Sequence, residues 1–495
     1  MRILKKTHLL LLVFLAILCV FECARIPMNR VNHFLNPCQF GLNEARTGKE
    51  RYYALQRTHD AALKMGAGVS YTGIKEIVLD IPADAKPLPL THYTDFAGVS
   101  IVVNNNKKNF YLFSLSSKLF SVKVDGREID NKDFSGNSIL KSGKKLLVIS
   151  DKTPWVEKRI GYDYGATRKD IMLVENGKSE NGPMQSYCTS ASIPDCRYCE
   201  VEGSKIVLKD VNFSRTNNST KKTYFVKIEN QYNIELSGIR ITTPEGSGLY
   251  ADKAIDIANC ANVTLKDVTI NGTYSLPKQY GYGVSMDNVY KLEVDNMFAR
   301  ANWGVFGNNN LQRAILQDCD INRFDIHCYG KDVRFENCNF VDLYNQFSSM
   351  YGEVVFENCI FTKFTPVLID GTYNAYTAFD VVFENCTFNI DKNHTTIFKV
   401  YGFSGRENSR PELKQKCLPN IDLRDCRVNV SEGVDKWYVY NTNNLSDYEG
   451  RFSYISKVRV ERLSTNMKER TISVFSNNIN SVNKIQLQLD YFDRE

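Results

Sequence analysis

A nine-residue phrase returns along the second half of the chain, most legibly as DVRFENCNF (332–340), EVVFENCIF (353–361) and DVVFENCTF (380–388). Looser copies extend it both ways: KIVLKDVNF (205–213), NIELSGIRI (233–241), NVTLKDVTI (262–270), KLEVDNMFA (291–299), RAILQDCDI (313–321), NIDLRDCRV (420–428), KVRVERLST (457–465) and KIQLQLDYF (484–492). Such self-similarity means stacked units, none of which buries a core alone. Apolar residues hold the second and fourth places, a small polar residue the sixth, and apolar or Cys residues the seventh and ninth. That pattern describes two short strands with a bend between them. Asn337, Asn358 and Asn385, with Asp210, Asp267, Asp318 and Asp425, occupy the bend, where Asn and Asp tolerate a left-handed backbone. Stacking aligns them in a ladder.

Successive phrases start between 19 and 40 residues apart. A coil of three short strands and three turns needs roughly twenty residues, and longer steps are loops inserted at turns. The spacing suits a parallel β-helix, because the leucine-rich framework of a horseshoe and the hairpin signals of a propeller are missing. With 495 residues, 43% of them hydrophobic, and Tyr 27 and Phe 28, the chain has the material for a long β-rich core.

The ends and the irregular stretches read differently. Arg2, Lys5 and Lys6 precede an apolar run at 9–21, the order of a secretory signal and too short for a membrane span. Cleavage near Ala24 predicts a secreted, periplasmic or cell-surface protein, with lipid attachment at Cys19 or Cys23 as the alternative. Removing 1–24 takes away three basic residues and Glu22, so the formal charge falls from +6 to +4. Residues 25–70 make an N-terminal cap with a short helix in GKERYYALQRTHDAALKMGAG (48–68), and 71–200 hold the first coils plus an insertion, either a loop or a small lobe, where 116–200 fit the period poorly. The regular stack covers 201–430, and 431–495 hold the last coils and a C-terminal cap. Of the fourteen cysteines, Cys319, Cys338, Cys359, Cys386 and Cys426 share one place in the phrase and predict an inward ladder of thiols. Cys188, Cys196 and Cys199 lie in loop-like sequence and predict one disulfide.

The repeats resemble those of the pectin-lyase-like right-handed parallel β-helix proteins, over roughly residues 70–495. The resemblance implies an exported, polysaccharide-active protein, chiefly a lyase on uronic-acid chains or a glycoside hydrolase, in a superfamily that also holds some phage tailspikes and adhesins, with a non-catalytic glycan-binding or adhesin β-helix as the third reading. The NTD, DD, G-H-G and R-I-K series of polygalacturonases is absent from the sequence, as is a match to the calcium-binding Asp set of pectate lyases.

A β-helix reads its ligand with outward side chains, so the strands before each phrase carry the chemistry. Among them AIDIAN (254–259), YGVSMDN (282–288), RFDIHCYG (323–330) and YNQFSSMYG (344–352) are dense in functional groups. Arg323, Asp325, His327 and Tyr329 alternate along one strand and are expected on one side within about 20 Å. Uronate β-elimination needs a group to neutralise the carboxylate, a base near the C5 proton and an acid for the leaving oxygen: Arg323 for the first, His327 or Tyr329 for the second, Tyr329 for the third. A hydrolase reading uses two carboxylates from Asp256, Asp287, Asp325 and Asp370, at about 5 Å on adjacent coils or about 10 Å two coils apart. Asn302, Trp303, Tyr344, Asn345, Gln346, Asp370 and Tyr373 are candidate sugar contacts, the rings by stacking and the polar groups by hydrogen bonds to hydroxyls. No cofactor is expected. Outward carboxylates suit Ca²⁺, but no loop carries a pattern that assigns a metal site. Basic residues are spread without a dense patch, which argues against nucleic acid.

Overall fold

The computed structural model describes residues 33–156, 166–184, 186–188, 193–201, 203–216, 219–242, 253–271, 282–300, 304–348, 350–370, 377–401, 419–441, 457–466, 473–475 and 486–490. The signal segment expected at 1–24 lies outside them, and no described helix is long and apolar enough to cross a membrane. The chain is a parallel β-helix. The fourth place of the first ten phrases forms one continuous register, Leu208–Leu236–Leu265–Val294–Leu316–Phe335–Phe356–Phe383–Leu423–Val460, and the last phrase joins two residues out of step, with Val460 paired to Leu489 at its sixth place. The coils therefore continue through the faint last phrases as far as the described residues extend.

Repetition puts like side chains on top of like. Phe335, Phe356 and Phe383 stack with centroids 4.8 and 4.9 Å apart, and Phe340, Phe361 and Phe388 with 5.1 and 5.3 Å, all within 7° of parallel. Each such pair contributes roughly 0.5–1.5 kcal/mol beyond its burial. The five phrase cysteines are buried as an inward ladder, and burial pushes the thiols of Cys359 and Cys426 up, so they stay protonated.

Left-handed residues make the corners. Asp210, Asp267, Asn296, Asp318, Asn337, Asn358, Asn385 and Asp425 all have φ between 52° and 62°, as the phrase predicts, with Gly238 at 61° in the same row. Side-chain amides link neighbours: Asn358 Nδ2 donates to Asn337 Oδ1 at 3.2 Å and Asn385 Nδ2 to Asn358 Oδ1 at 2.7 Å. Two further left-handed rows lie in the middle coils, at Asn230–Asn259–Asn288–Asn310–Tyr329 and at Asn233–Asn262–Lys291–Arg313–Asp332. These rows depart from Asn and Asp at Tyr329, Lys291 and Arg313.

The departures coincide with the insertion. Residues 120–200 contain a five-stranded antiparallel sheet, in the order Lys178–Ser179, Ala166–Glu175, Lys144–Val156, Asp195–Glu200, Phe120–Val122, with a short helix, Gly126–Asn131. One face packs Ile129, Phe134, Leu147, Ile149 and Met172 into a core of its own. The other sets Leu146, Ile171, Leu173 and Cys199 against Ala261 and Tyr290 of the coils. Polar contacts fix the seam: Lys291 and Arg313 pair with Glu180 at 2.5 and 3.6 Å, and Asn310 Nδ2 donates to the Lys169 carbonyl at 2.9 Å. The expected disulfide does not form: Cys188, Cys196 and Cys199 are free thiols, because Cys196 and Cys199 lie on opposite faces of one strand, in separate apolar clusters.

The helix Gly48–Met65 covers the first coil, opened by a Thr47–Glu50 capping box and closed by Gly66 at φ 62°. Tyr52, Ala54, Leu55, Thr58, His59 and Ala62 are buried, whereas Leu63 and Met65 face solvent. His59 Nδ1 lies 2.9 Å from the Pro89 carbonyl, so it carries the proton, and Nε2 accepts from the Tyr71 hydroxyl at 2.8 Å. Burial pushes His59 down to about 4. The unfolded chain, with an ordinary histidine value near 6.5, therefore takes up this proton first. The stabilisation is complete above that value and is lost as pH falls toward 4, amounting to about 3 kcal/mol. Urea denaturation between pH 7 and 4 is expected to show His59→Gln losing less stability than the parent protein. Equal losses would contradict the assignment.

Candidate functional site

The outward positions of the strands before the phrases also stack in register, as Lys227–Asp256–Ser285–Gly307–Asp325–Gln346–Leu368–Lys399. Inward neighbours such as Ile257, Met286 and Ile326 sit in the core, which fixes the opposite direction for this row. Ser285 and Gly307 leave its middle low. Tyr282 exploits that space. Its ring lies across Gly307, where a Cβ would fall within 2.7 Å of Cγ, Cδ2 and Cε2. The ring thus spans the Gly304–Gln317 strand and reaches the Phe324–Glu336 strand beyond it.

There the Tyr282 hydroxyl is 2.7 Å from Asp325 Oδ2 and 2.7 Å from His327 Nε2. His327 is an extra residue in its strand, since Asn308 pairs with Ile326 but Asn309 pairs with Cys328. A bulge of this kind re-aims a side chain, and here it turns the imidazole toward Tyr282 with 17% of its side chain exposed. Asp325 is fully buried and gripped by Arg323 through Nε at 2.7 Å and Nη2 at 2.6 Å. Burial pushes the Asp325 carboxyl up, but the Arg323 charge and the His327 hydrogen bond outweigh it and hold it below the usual range. Arg323 Nη2 also donates to Gln346 Oε1 at 3.3 Å, and the guanidinium lies 4.2 Å from the Tyr344 ring centroid. Gln346 Nε2 has no partner among the described residues.

The structure thus brings Arg323, Asp325, His327, Tyr344 and Gln346 together. It separates Tyr329 from them. Tyr329 occupies a corner, at φ 39°, which breaks the alternation and turns its side chain beneath the inserted lobe. Its hydroxyl accepts from the Lys169 N–H at 2.9 Å and donates to the Thr167 carbonyl at 3.2 Å. Arg323 is 2% exposed and pairs with Asp325 through Nε and Nη2, so it holds a carboxylate of the protein itself. Asn345 points inward and accepts from the Phe324 N–H at 3.0 Å.

The carboxylate pair is also displaced. Asp256 pairs with Ser285, and Asp287 with Ala258, so the two are not equivalent on adjacent coils. Asp256 accepts from the Tyr111 hydroxyl at 2.7 Å and Lys253 at 2.8 Å, and Asp287 from Lys169 at 2.8 Å. Asp256 and Asp325 share the row, but three strand spacings separate them, roughly 14 Å. Glycosidase carboxylates lie about 5 to 9.5 Å apart. Asn302, Trp303 and Tyr373 lie outside the described residues, and Asp370 pairs with Tyr401 at a strand end, its side chain outside them. No described group of three or more His, Cys, Asp or Glu is placed to hold a metal ion.

Tyr282 was missing from the sequence reading. Its signal was indirect: an aromatic residue one coil before a stretch with two glycines, Gly304 and Gly307. Gly307→Ala is expected to displace the Tyr282 ring and destabilise the fold by about 1–3 kcal/mol. A crystal structure of the variant with the ring unmoved would contradict this packing.

No protein-family model matches the sequence, and no curated protein matches it. Solved structures do. The tailspike gp61 of Pseudomonas phage phi297 superposes with a TM-score of 0.56 at 11% identity, over 93% of this chain and 84% of that one. The tailspike gp49 of Pseudomonas phage LKA1 gives 0.56 at 12% identity, over 93% and 79%. At such identities the likeness is one of fold. The chain has the fold of the pectin-lyase-like parallel β-helix proteins.

Proposed function

We propose that the protein is an exported, polysaccharide-degrading lyase that cleaves an acidic, uronic-acid-containing glycan by β-elimination on the face of the stack. The observation that carries the reading is the Tyr282 hydroxyl, 2.7 Å from both His327 Nε2 and Asp325 Oδ2 over a glycine floor. One arrangement satisfies all three groups: His327 Nε2–H donates to the tyrosine oxygen and the tyrosine O–H donates to the Asp325 carboxylate. His327 Nδ1 is then the base. It takes the C5 proton, the C4–O4 bond breaks as the C4–C5 double bond forms, and Tyr282 gives its proton to the departing oxygen. The Nε2 proton replaces the one Tyr282 gives up. Asp325, kept ionised by Arg323, holds both groups in place.

The hydrolase alternative has less support, because Asp256 and Asp287 are each tied to a cation and no described pair lies at a productive separation on the row. Digestion of a panel of uronate polymers, read by ultraviolet absorbance and by reducing ends, tests the proposal. The expected products are unsaturated, and Tyr282→Phe and His327→Ala are each expected to slow their release by at least about 100-fold. Reducing ends without absorbance would select hydrolysis. Binding without any product would select a glycan-binding protein.

A further inference from the structure

The row of outward residues contains a second Tyr–Asp–cation unit, at the other side of Ser285 and Gly307. The Tyr111 hydroxyl donates to Asp256 Oδ2 at 2.7 Å, and Lys253 Nζ sits on the same oxygen at 2.8 Å. This resembles the Tyr282–Asp325–Arg323 arrangement, with a lysine on one oxygen in place of the two-pronged arginine and with no described histidine in contact. Tyr224 is the register partner of Tyr111, and their rings lie 4.8 Å apart at 36°. Both residues are half-buried, with Tyr224 resting against the core. Lys227, beside Asp256 in the row, has Nζ 6.0 Å from the Tyr111 centroid. An anchored aromatic pair rimmed by a carboxylate and two lysines has the chemistry of a sugar platform: ring faces for C–H surfaces, charged groups for hydroxyls and carboxylates.

We infer that Tyr111, Tyr224 and Asp256, with Lys227 and Lys253, form a remote subsite for an extended polysaccharide chain that runs across the strands to the Tyr282–His327 centre. This rests on the proposed reading of that centre as the place of cleavage. The Thr223–Glu229 strand is four spacings from the Phe324–Glu336 strand, roughly 19 Å, and the intervening floor is small. A polymer bridges that distance and a trisaccharide does not. Binding at the remote unit serves affinity and the direction of the chain, and the missing histidine leaves it without a proton-transfer partner.

The test uses the full chain carrying His327→Ala, so that polymer is bound without being consumed, and measures its retardation in gels containing each uronate polymer. Tyr224→Ala in this background is expected to weaken polymer binding by about tenfold in a chain that still folds, and Tyr111→Phe, which keeps the ring, by a smaller factor. Arg240→Ala, on another face, is expected to leave binding intact. With His327 restored, Tyr224→Ala is expected to lower cleavage of polymer but not of a trisaccharide. Unchanged polymer binding in Tyr224→Ala, or no polymer binding by the His327→Ala parent, would overturn the subsite. Absence of cleavage by the native protein, with the binding loss still present, would overturn the lyase reading and leave the subsite standing.

Discussion

The structure depends on the left-handed corner. Coils can stack in register only if each turns at the same place, and a non-glycine residue pays roughly 1–2 kcal/mol to hold a left-handed backbone. Asn and Asp offset that strain by bonding locally, and stacked amides add bonds between coils. Once the corners align, the rest follows. The Phe and Cys rows fall inside, and the residues between corners face alternately in and out. The same requirement explains the lobe's attachment. The three corner positions that abandon Asn and Asp, at Tyr329, Lys291 and Arg313, all hold the insertion, alongside Asn288 and Asn310 of the same rows.

This division accounts for what the sequence revealed. The phrase was legible because every coil solves one problem with the same residue types. Its sixth position became the observed row of left-handed residues, and its Cys and Phe positions became the inner rows. Departures from the repeat were harder to read. The bulge at His327 changes register by one residue, and no local sequence feature marks it. Tyr329 looked like the natural end of an alternating set, but it is itself the corner residue, and corners overrule alternation. Asp256 and Asp287 resembled a pair because each precedes a corner-making segment, yet they sit two residues out of step. Tyr282 escaped notice because its role depends on what its neighbours lack.

The interior is repetitive and the exterior selective. On the outer row, Ser285 and Gly307 lie between two tyrosines whose hydroxyls each meet an aspartate held by a cation. The two units differ in their cation, Lys253 against Arg323, and in His327, which meets the Tyr282 hydroxyl. Asp325 shows why the arrangement is stable: Arg323 keeps a fully buried carboxylate charged, and the charged carboxylate fixes the direction of the tyrosine proton.

The most direct measurement is the nitrogen spectrum of protein labelled in its histidine rings, comparing the native chain with Tyr282→Phe. The hydrogen-bond chain predicts a His327 ring protonated at Nε2, with that nitrogen's signal shifting when the tyrosine hydroxyl is removed. A His327 ring protonated at Nδ1 alone, or one whose signals ignore Tyr282→Phe, would contradict the proton-transfer centre on which the functional account rests.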